Sequence, residues 1–399
     1  MLGGVWLIYF SFGLLSVAMA PLVAVISRDL NLSYTAMGGI LGAWPLIYIV
    51  AAAPCGAFID RVGLKWSLVF AALIMAASGA MRAGAFDGVS LFVAVGLFGI
   101  GGPLISIGAP KAIAQWFQGA ERGYAMGIYI TGPGLGSILA LSLTNGVLMP
   151  LTDGNWRLVL LIYSGITLAT GVIWFGLGAH PVIRAVELAG RTSGSIADQL
   201  RVFSGLLRLR NVQIILAMSV GSFFYYHALG NWLPEILRSG GMAAGAAGIW
   251  AAVPVAVGIL GSLIIPRLAT PRRRFAILLG MMICTGAGGL LLLAAGVPAL
   301  VGAVALQGIA RGSLMTVLIL VLMEARGVEA RHTGAAVGLF FSAAEIGGVL
   351  GPLTIGAASD LTGGFAAGIW FLGAISAGLI GLLYVHRAVE RRAVPVASR

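Results

Sequence analysis

A chain of 399 residues with 59% hydrophobic and only 9% charged residues is too poor in charge for a soluble domain, where about 25% would be charged, so its surface faces lipid. A net charge of +11 would fit a nucleic-acid binder only if the 24 Lys and Arg residues shared one soluble face; they lie instead in short loops between apolar runs, which excludes that partner. Cys55 and Cys284 stand in separate apolar runs and offer no disulfide or metal spacing, and no phosphate loop is present that would make ATP the energy source.

Crossing the hydrocarbon core takes ~20 mainly apolar residues, and twelve stretches meet that demand. The pattern predicts spans at 4–27, 34–59, 64–82, 89–112, 122–150, 156–179, 212–237, 243–267, 274–295, 298–323, 333–358 and 365–386. The first, "MLGGVWLIYFSFGLL", has neither a basic leader region nor a small-residue cleavage site and reads as a span rather than a signal peptide. Sixty glycines imply close helix packing, because small residues let membrane helices approach. With both termini cytoplasmic, nineteen Lys and Arg residues fall on the cytoplasmic side, among them Arg61, Lys65, Lys111, Arg122, Arg184, Arg191, Arg331 and Arg399. Four, Arg28, Arg82, Arg157 and Arg238, fall outside. That bias obeys the positive-inside rule and places a multi-pass protein in an inner (cytoplasmic) membrane.

The longest polar stretch separates spans six and seven and divides the chain into a six-helix bundle at 1–180, a cytoplasmic linker at 181–211, a second bundle at 212–388 and a tail at 389–399. The halves repeat: "RGYAMGIYITGPGLG" (122–136) aligns with "TGAAVGLFFSAAEIG" (333–347), and "LFGIGGP" (97–103) with "LQGIARG" (306–312), at offsets of 211 and 209. The expected fold is an all-α membrane protein of twelve transmembrane helices in two pseudo-symmetric bundles, with a binding site between them near the midplane.

Between spans two and three, "GAFIDRVGLK" resembles the G-x-L-a-D-r-x-G-r-k signature of the major facilitator superfamily, with Gly56, Asp60, Arg61, Gly63 and Lys65 in place and Phe58 and Leu64 departing from it. "WFQGAERGYAMG" (116–127) and "GPLTIGAASDLTGG" (351–364) are similar to further stretches of that family. The resemblance covers the whole chain and implies a secondary transporter that rocks around a central site. Its texture is similar to the bacterial cyanate and nitroimidazole permeases or the monocarboxylate carriers, without a motif that selects one branch. "GPGLG" (132–136) is similar to an antiporter pattern, but Ile128 and Ser137 replace two of its glycines.

Asp60 is placed to face the cytoplasmic N-terminus of span eleven, where unsatisfied N–H groups favour an anion by ~0.3–1 kcal/mol. The expectation is a latch that closes the inside, helped by Arg61, Lys65 and Glu121; the plain alternative is a solvated turn anchored by Gly63. The equivalent second-half loop, "RLATPRRR" (267–274), has no acid.

Arg311 is the sharper signal, an arginine near the middle of span ten with no acid near it in sequence. At that depth its insertion costs about 2.5–3.5 kcal/mol, so it should face a polar interior and have a partner. Glu345, at matching depth on span eleven, is the expected partner. Either Arg311 binds an anionic substrate while Glu345 exchanges a proton, or the two form a permanent buried pair. The matching first-half positions are Gly102 and Gly134, an asymmetry that packing alone does not require.

Helical spacing adds Gln307, four residues before Arg311, and Ser342, three before Glu345. In "FFYYHALGNWLP" (223–234), His227 and Asn231 share a face, Tyr226 is a candidate for the same cavity, and Gly230 with Pro234 permits a broken helix. His227 binds substrate, carries a proton or bonds a neighbouring helix. Trp232 reads as an interfacial anchor, Tyr9 as packing, and Lys111 as a snorkelling cation or an inner-gate charge. Pro21, Pro45, Pro103 and Pro133 mark kinks.

The expected function is transport of a small, organic anion or weak acid by alternating access with proton symport; the alternative is a proton-coupled antiporter exporting a drug or metabolite. The expected partners are that substrate, protons and the lipid bilayer around a monomer. No cofactor or metal is expected, and no catalytic group, since neither cysteine nor any of the four histidines forms a nucleophile–base set.

Overall fold

The structure, a computed structural model, describes residues 1–178, 196–329 and 332–392. Arg184, Arg191, Arg331, Arg399 and much of the 181–211 linker lie outside the described residues. The described residues contain twelve helices long and apolar enough to cross a membrane: Leu2–Asp29, Tyr34–Val62, Leu64–Ala83, Gly88–Trp116, Glu121–Leu151, Trp156–Leu177, Arg210–Ser239, Ala244–Leu268, Arg274–Leu293, Val297–Met323, Thr333–Thr362 and Ala366–Arg391. These are spans one to twelve. Local signals set their ends: Ser33 accepts the Ala36 N–H to start span two, and a reciprocal Asp87–Ser90 capping box starts span four. Gly63, at φ +93°, makes the abrupt turn between spans two and three that a side chain would strain.

The two halves repeat in their packing as well as in sequence. Span one packs on spans five and six, span two on four, and span three on four and six; spans seven to twelve repeat each of these pairings. The repeat extends to single residues. A Cβ on Gly136 would strike the Phe10 carbonyl and come within 2.7 Å of the Leu14 nitrogen, and one on Gly347, 211 residues later, would come within 2.6 Å of the Phe224 nitrogen. Helix backbones touch at both places because glycine is there. In "GPGLG", Gly132 and Gly136 lie against span one and Gly134 against Ile259 of span eight.

Pro21, Pro45 and Pro133 lie at interruptions: span one breaks into a tighter turn at Ala20–Leu22, span two breaks at Gly42, and span five breaks at Ile130. Proline lacks the N–H and crowds the carbonyl four residues back, so the helix opens one turn earlier. Pro103 lies inside the continuous helix Gly88–Trp116. One expectation fails: span seven runs unbroken from Arg210 to Ser239 through Gly230 and Pro234.

Lys and Arg residues mark one face of the bundle, carrying Arg61, Lys65, Lys111, Arg122, Arg274, Arg326 and Arg387; this is called the basic face below. The halves close on each other at the opposite face. There Asp360 accepts from the Tyr34 nitrogen (3.1 Å), the Thr35 nitrogen (2.7 Å) and the Thr35 hydroxyl (2.6 Å). Tyr34 Oη donates to Glu235 at 2.6 Å, and Arg238 holds that carboxylate through two further bonds. Gly38 lies against the Pro352 carbonyl and Gly248 against the Leu141 carbonyl. Contact continues to the middle, where Ile259 meets Gly134 and Pro45 meets Gly348. Towards the basic face the helices separate, and Gly56, Gly123, Gly127 and Gly334 each look into open space. Closed at the opposite face by these contacts, the space between the halves can open only towards the basic face.

Candidate functional site

Arg311 stands near the middle of span ten, half-buried, with its guanidinium carbon 4.3 Å from the centroid of the Tyr226 ring on span seven. Such a contact stabilises a cation by about 0.5–2 kcal/mol without neutralising it. Gly230, one turn after Tyr226, makes the room, since a Cβ there would come within 3.1 Å of the Arg311 Nη2. That is what Gly230 does in place of the expected helix break. Among the described residues no carboxylate reaches ion-pair distance of Arg311, and no protein acceptor bonds it. A fork of five donors is left facing the cavity.

The expected pairing with Glu345 is not what the structure contains. Glu345 is buried, 4% exposed, and turns to His227, with Oε2 3.4 Å from Nε2. The approach lacks hydrogen-bond geometry, and Oε2 has no hydrogen-bond partner. His227 is itself enclosed by Trp44 of the first half, 5.2 Å ring to ring, and by Phe223 and Tyr226. Gly348 leaves the volume Glu345 needs. The separation has a simple cause: Arg311 meets span seven at Tyr226 and Gly230, whereas Glu345 meets it at His227, on another side of the helix.

The other predicted residues divide. Tyr226 (41% exposed) and half-buried Ser342 stay accessible, the former under Arg311 and beside His227. Asn231 is buried and donates to the His227 carbonyl at 2.8 Å, so it braces span seven. Gln307 is turned away from Arg311, donating to the Gly288 carbonyl of span nine at 3.1 Å. Trp232 is no interfacial anchor; it is fully buried and donates to the Pro352 carbonyl.

The latch residues are not assembled at the start of span eleven. Asp60 pairs with Lys111 on span four, within its own half. Arg61 and Glu121 are exposed, and the Lys65 amine lies 4.9 Å from the Phe175 ring. Gly56 faces open space. Span four continues a turn beyond its predicted end, and Lys111 pairs with Asp60 instead of snorkelling free. In the second half Arg274 grips Glu324 through two bonds of 2.8 and 3.0 Å, an ion pair that the loop sequence did not reveal because its acid ends span ten.

Several contributors went unread in the sequence. Tyr48, whose hydroxyl bonds Ser106 at 2.8 Å, and Trp44 form the first-half wall near Glu345. The aromatic spacing of span two, four residues apart, was the available signal. Arg82, expected at the outer end of span three, is buried there and donates to the Leu15 carbonyl in the last turn before span one breaks. Asp360 lay within a quoted stretch without being given a role.

A family model described as Major Facilitator Superfamily matches residues 3–287. An uncharacterised transporter of Bacillus subtilis (strain 168) is 25% identical over 353 residues, 86% of this chain and 83% of the relative. A hexuronate transporter of the same organism is 24% identical over 396 residues, covering 96% and 91%. A crystal structure of the nucleoside transporter NupG superposes with a TM-score of 0.78 at 14% identity over 96% of this chain and 98% of that one, a likeness of fold.

Proposed function

Because the chain belongs to the major facilitator superfamily, and is a multi-pass membrane transporter rather than an enzyme, we propose that it carries a small organic anion between the two faces by alternating access. The observation that carries this reading is Arg311: an unpaired guanidinium in the cavity between the halves, which is costly in a membrane unless the cargo brings the opposite charge. A planar fork of donors suits a carboxylate. The hexuronate relative, a carrier named for a sugar acid, supports the same substrate class. The two units are the bundles at 1–180 and 212–388; the basic face is cytoplasmic, as the positive-inside rule asks, and the described state is then open to the cytoplasm.

Proton symport is the proposed coupling, through Glu345. A proton on Oε2 would neutralise a buried carboxylate oxygen that has no hydrogen-bond partner, and Nε2 of His227, 3.4 Å away, is the nearest group to receive it after a small turn of either side chain. The substrate site and the proton site are then distinct but adjacent through Tyr226 and His227 of span seven.

The test is thermal shift of the purified protein with small carboxylates, inorganic anions and cationic drugs. Carboxylates should stabilise the wild type, and Arg311→Gln should weaken their binding by at least ~30-fold, the cost of removing one partner of a desolvated charge pair. Stabilisation by cations alone overturns the anion reading. For coupling, uptake into proteoliposomes is driven by an imposed pH gradient; full proton dependence in Glu345→Gln removes Glu345 as the carrier.

A further inference from the structure

The wall facing Arg311 carries two phenols that nothing in the fold uses. Tyr9 of span one and Tyr129 of span five stack at 5.6 Å between centroids with 12° between planes. Packing explains the rings, but phenylalanine would pack equally well. Among the described residues neither hydroxyl has a hydrogen-bond partner; Tyr9 is half-buried and Tyr129 is buried, 6% exposed. Tyr48, by contrast, is committed to Ser106. Ring contacts lead from the stack to span seven: Tyr9 meets Phe12 at 5.8 Å, Phe12 meets Trp44 at 6.1 Å, and Trp44 meets His227 at 5.2 Å. His227 lies beside Tyr226, the ring under Arg311, so the phenol pair and the guanidinium approach one region from opposite halves.

We infer that Tyr9 and Tyr129 form a second subsite, which takes a hydroxyl or carbonyl at the far end of the anion held by Arg311. The inference rests on the anion reading above and narrows it to acids that are polar at both ends. It also gives the substrate a mechanical role. A ligand shifts a conformational equilibrium only by binding one state better than the other. An acid that touches Arg311 alone engages one half and has no stake in closure, whereas one that also reaches Tyr9 and Tyr129 ties the halves together and favours the closed cavity.

The experiment compares acids of four to six carbons in matched pairs, unsubstituted and bearing a terminal hydroxyl, by calorimetric titration and by proteoliposome exchange. The wild type should bind the hydroxylated member more tightly. Tyr9→Phe and Tyr129→Phe, which keep the stack, should each weaken that member roughly 10-fold, leave its unsubstituted partner unchanged and slow exchange of the hydroxylated acid. Equal affinity for both members in the wild type, or equal losses for both in the variants, overturns the subsite. Those outcomes leave the anion reading standing, because that reading falls only if Arg311→Gln binds every acid as the wild type does.

Discussion

Spans two and eleven run antiparallel across the interface between the halves, and their two ends differ in a way that defines the state. Asp360 and Asp60 each stand two residues before the end of their helix. Asp360, ending span eleven, caps the first turn of span two by accepting from the Tyr34 and Thr35 nitrogens. Asp60, ending span two, is held by Lys111 in its own half. One carboxylate joins the halves and the other does not, so the device is built twice and engaged once. We read Asp60 as the cap of the opposite state, in which its exchange of Lys111 for the N-terminus of span eleven shuts the basic face.

The harshest way to break the comparison is Gly38→Val. A side chain at Gly38 would collide with the Pro352 carbonyl, which is backbone and cannot rotate away. Overpacking of this kind costs about 1–3 kcal/mol, borne wholly by the closed face. Transport should fall to background, and hydrogen exchange over residues 34–41 should rise at least 10-fold. Unchanged exchange would mean that this face is not closed by direct backbone approach. Asp360→Asn is gentler: the amide oxygen still accepts from Thr35, but the charge at a helix N-terminus, about 0.3–1 kcal/mol, is lost. Protection of the Tyr34 and Thr35 amides should drop two- to five-fold, on that same range, with partial loss of transport. Asp60→Asn should separate resting structure from turnover. In the described state it removes only a half-exposed ion pair, worth under about 1 kcal/mol, so expression and melting should hardly move while transport falls. Wild-type transport in that variant would remove the second cap.

The twelve spans and the two-fold repeat were legible because hydropathy and the 209 and 211 offsets are local, one-dimensional signals that the bilayer forces on any sequence. Arg311 was legible for the same reason, as a charge in the wrong solvent. Its partner was not, because matching depth on consecutive spans says nothing about which side of a helix faces which neighbour. Span seven intervenes, with Tyr226 taking the arginine and His227 taking Glu345. The Asp60–Lys111 pair and the Asp360 cap escaped for a different reason: each links residues far apart in sequence, which spacing along one helix does not pair.

The smallest effect belongs to the ion pair that secures the basic end of the second half, as Asp60 and Lys111 secure the first. The bonds from Arg274 hold the Glu324 carboxyl below its ordinary value, against the opposing effect of burial. A carboxylate depressed by folding contributes stability that is present above its unfolded pKa and is lost as pH falls through the folded one. Glu324 is largely exposed, so solvent screening keeps the contribution under about 1 kcal/mol. Glu324→Gln should therefore melt slightly below the wild type at neutral pH, and the gap should close as pH drops beneath the ordinary glutamate range. Because this pair lies within one half, transport should be unaffected. A transport defect here would mean that the Arg274–Glu324 contact, unlike the Asp60–Lys111 contact, must break or form during the cycle, and the two basic ends could no longer be treated as one fixed and one switching.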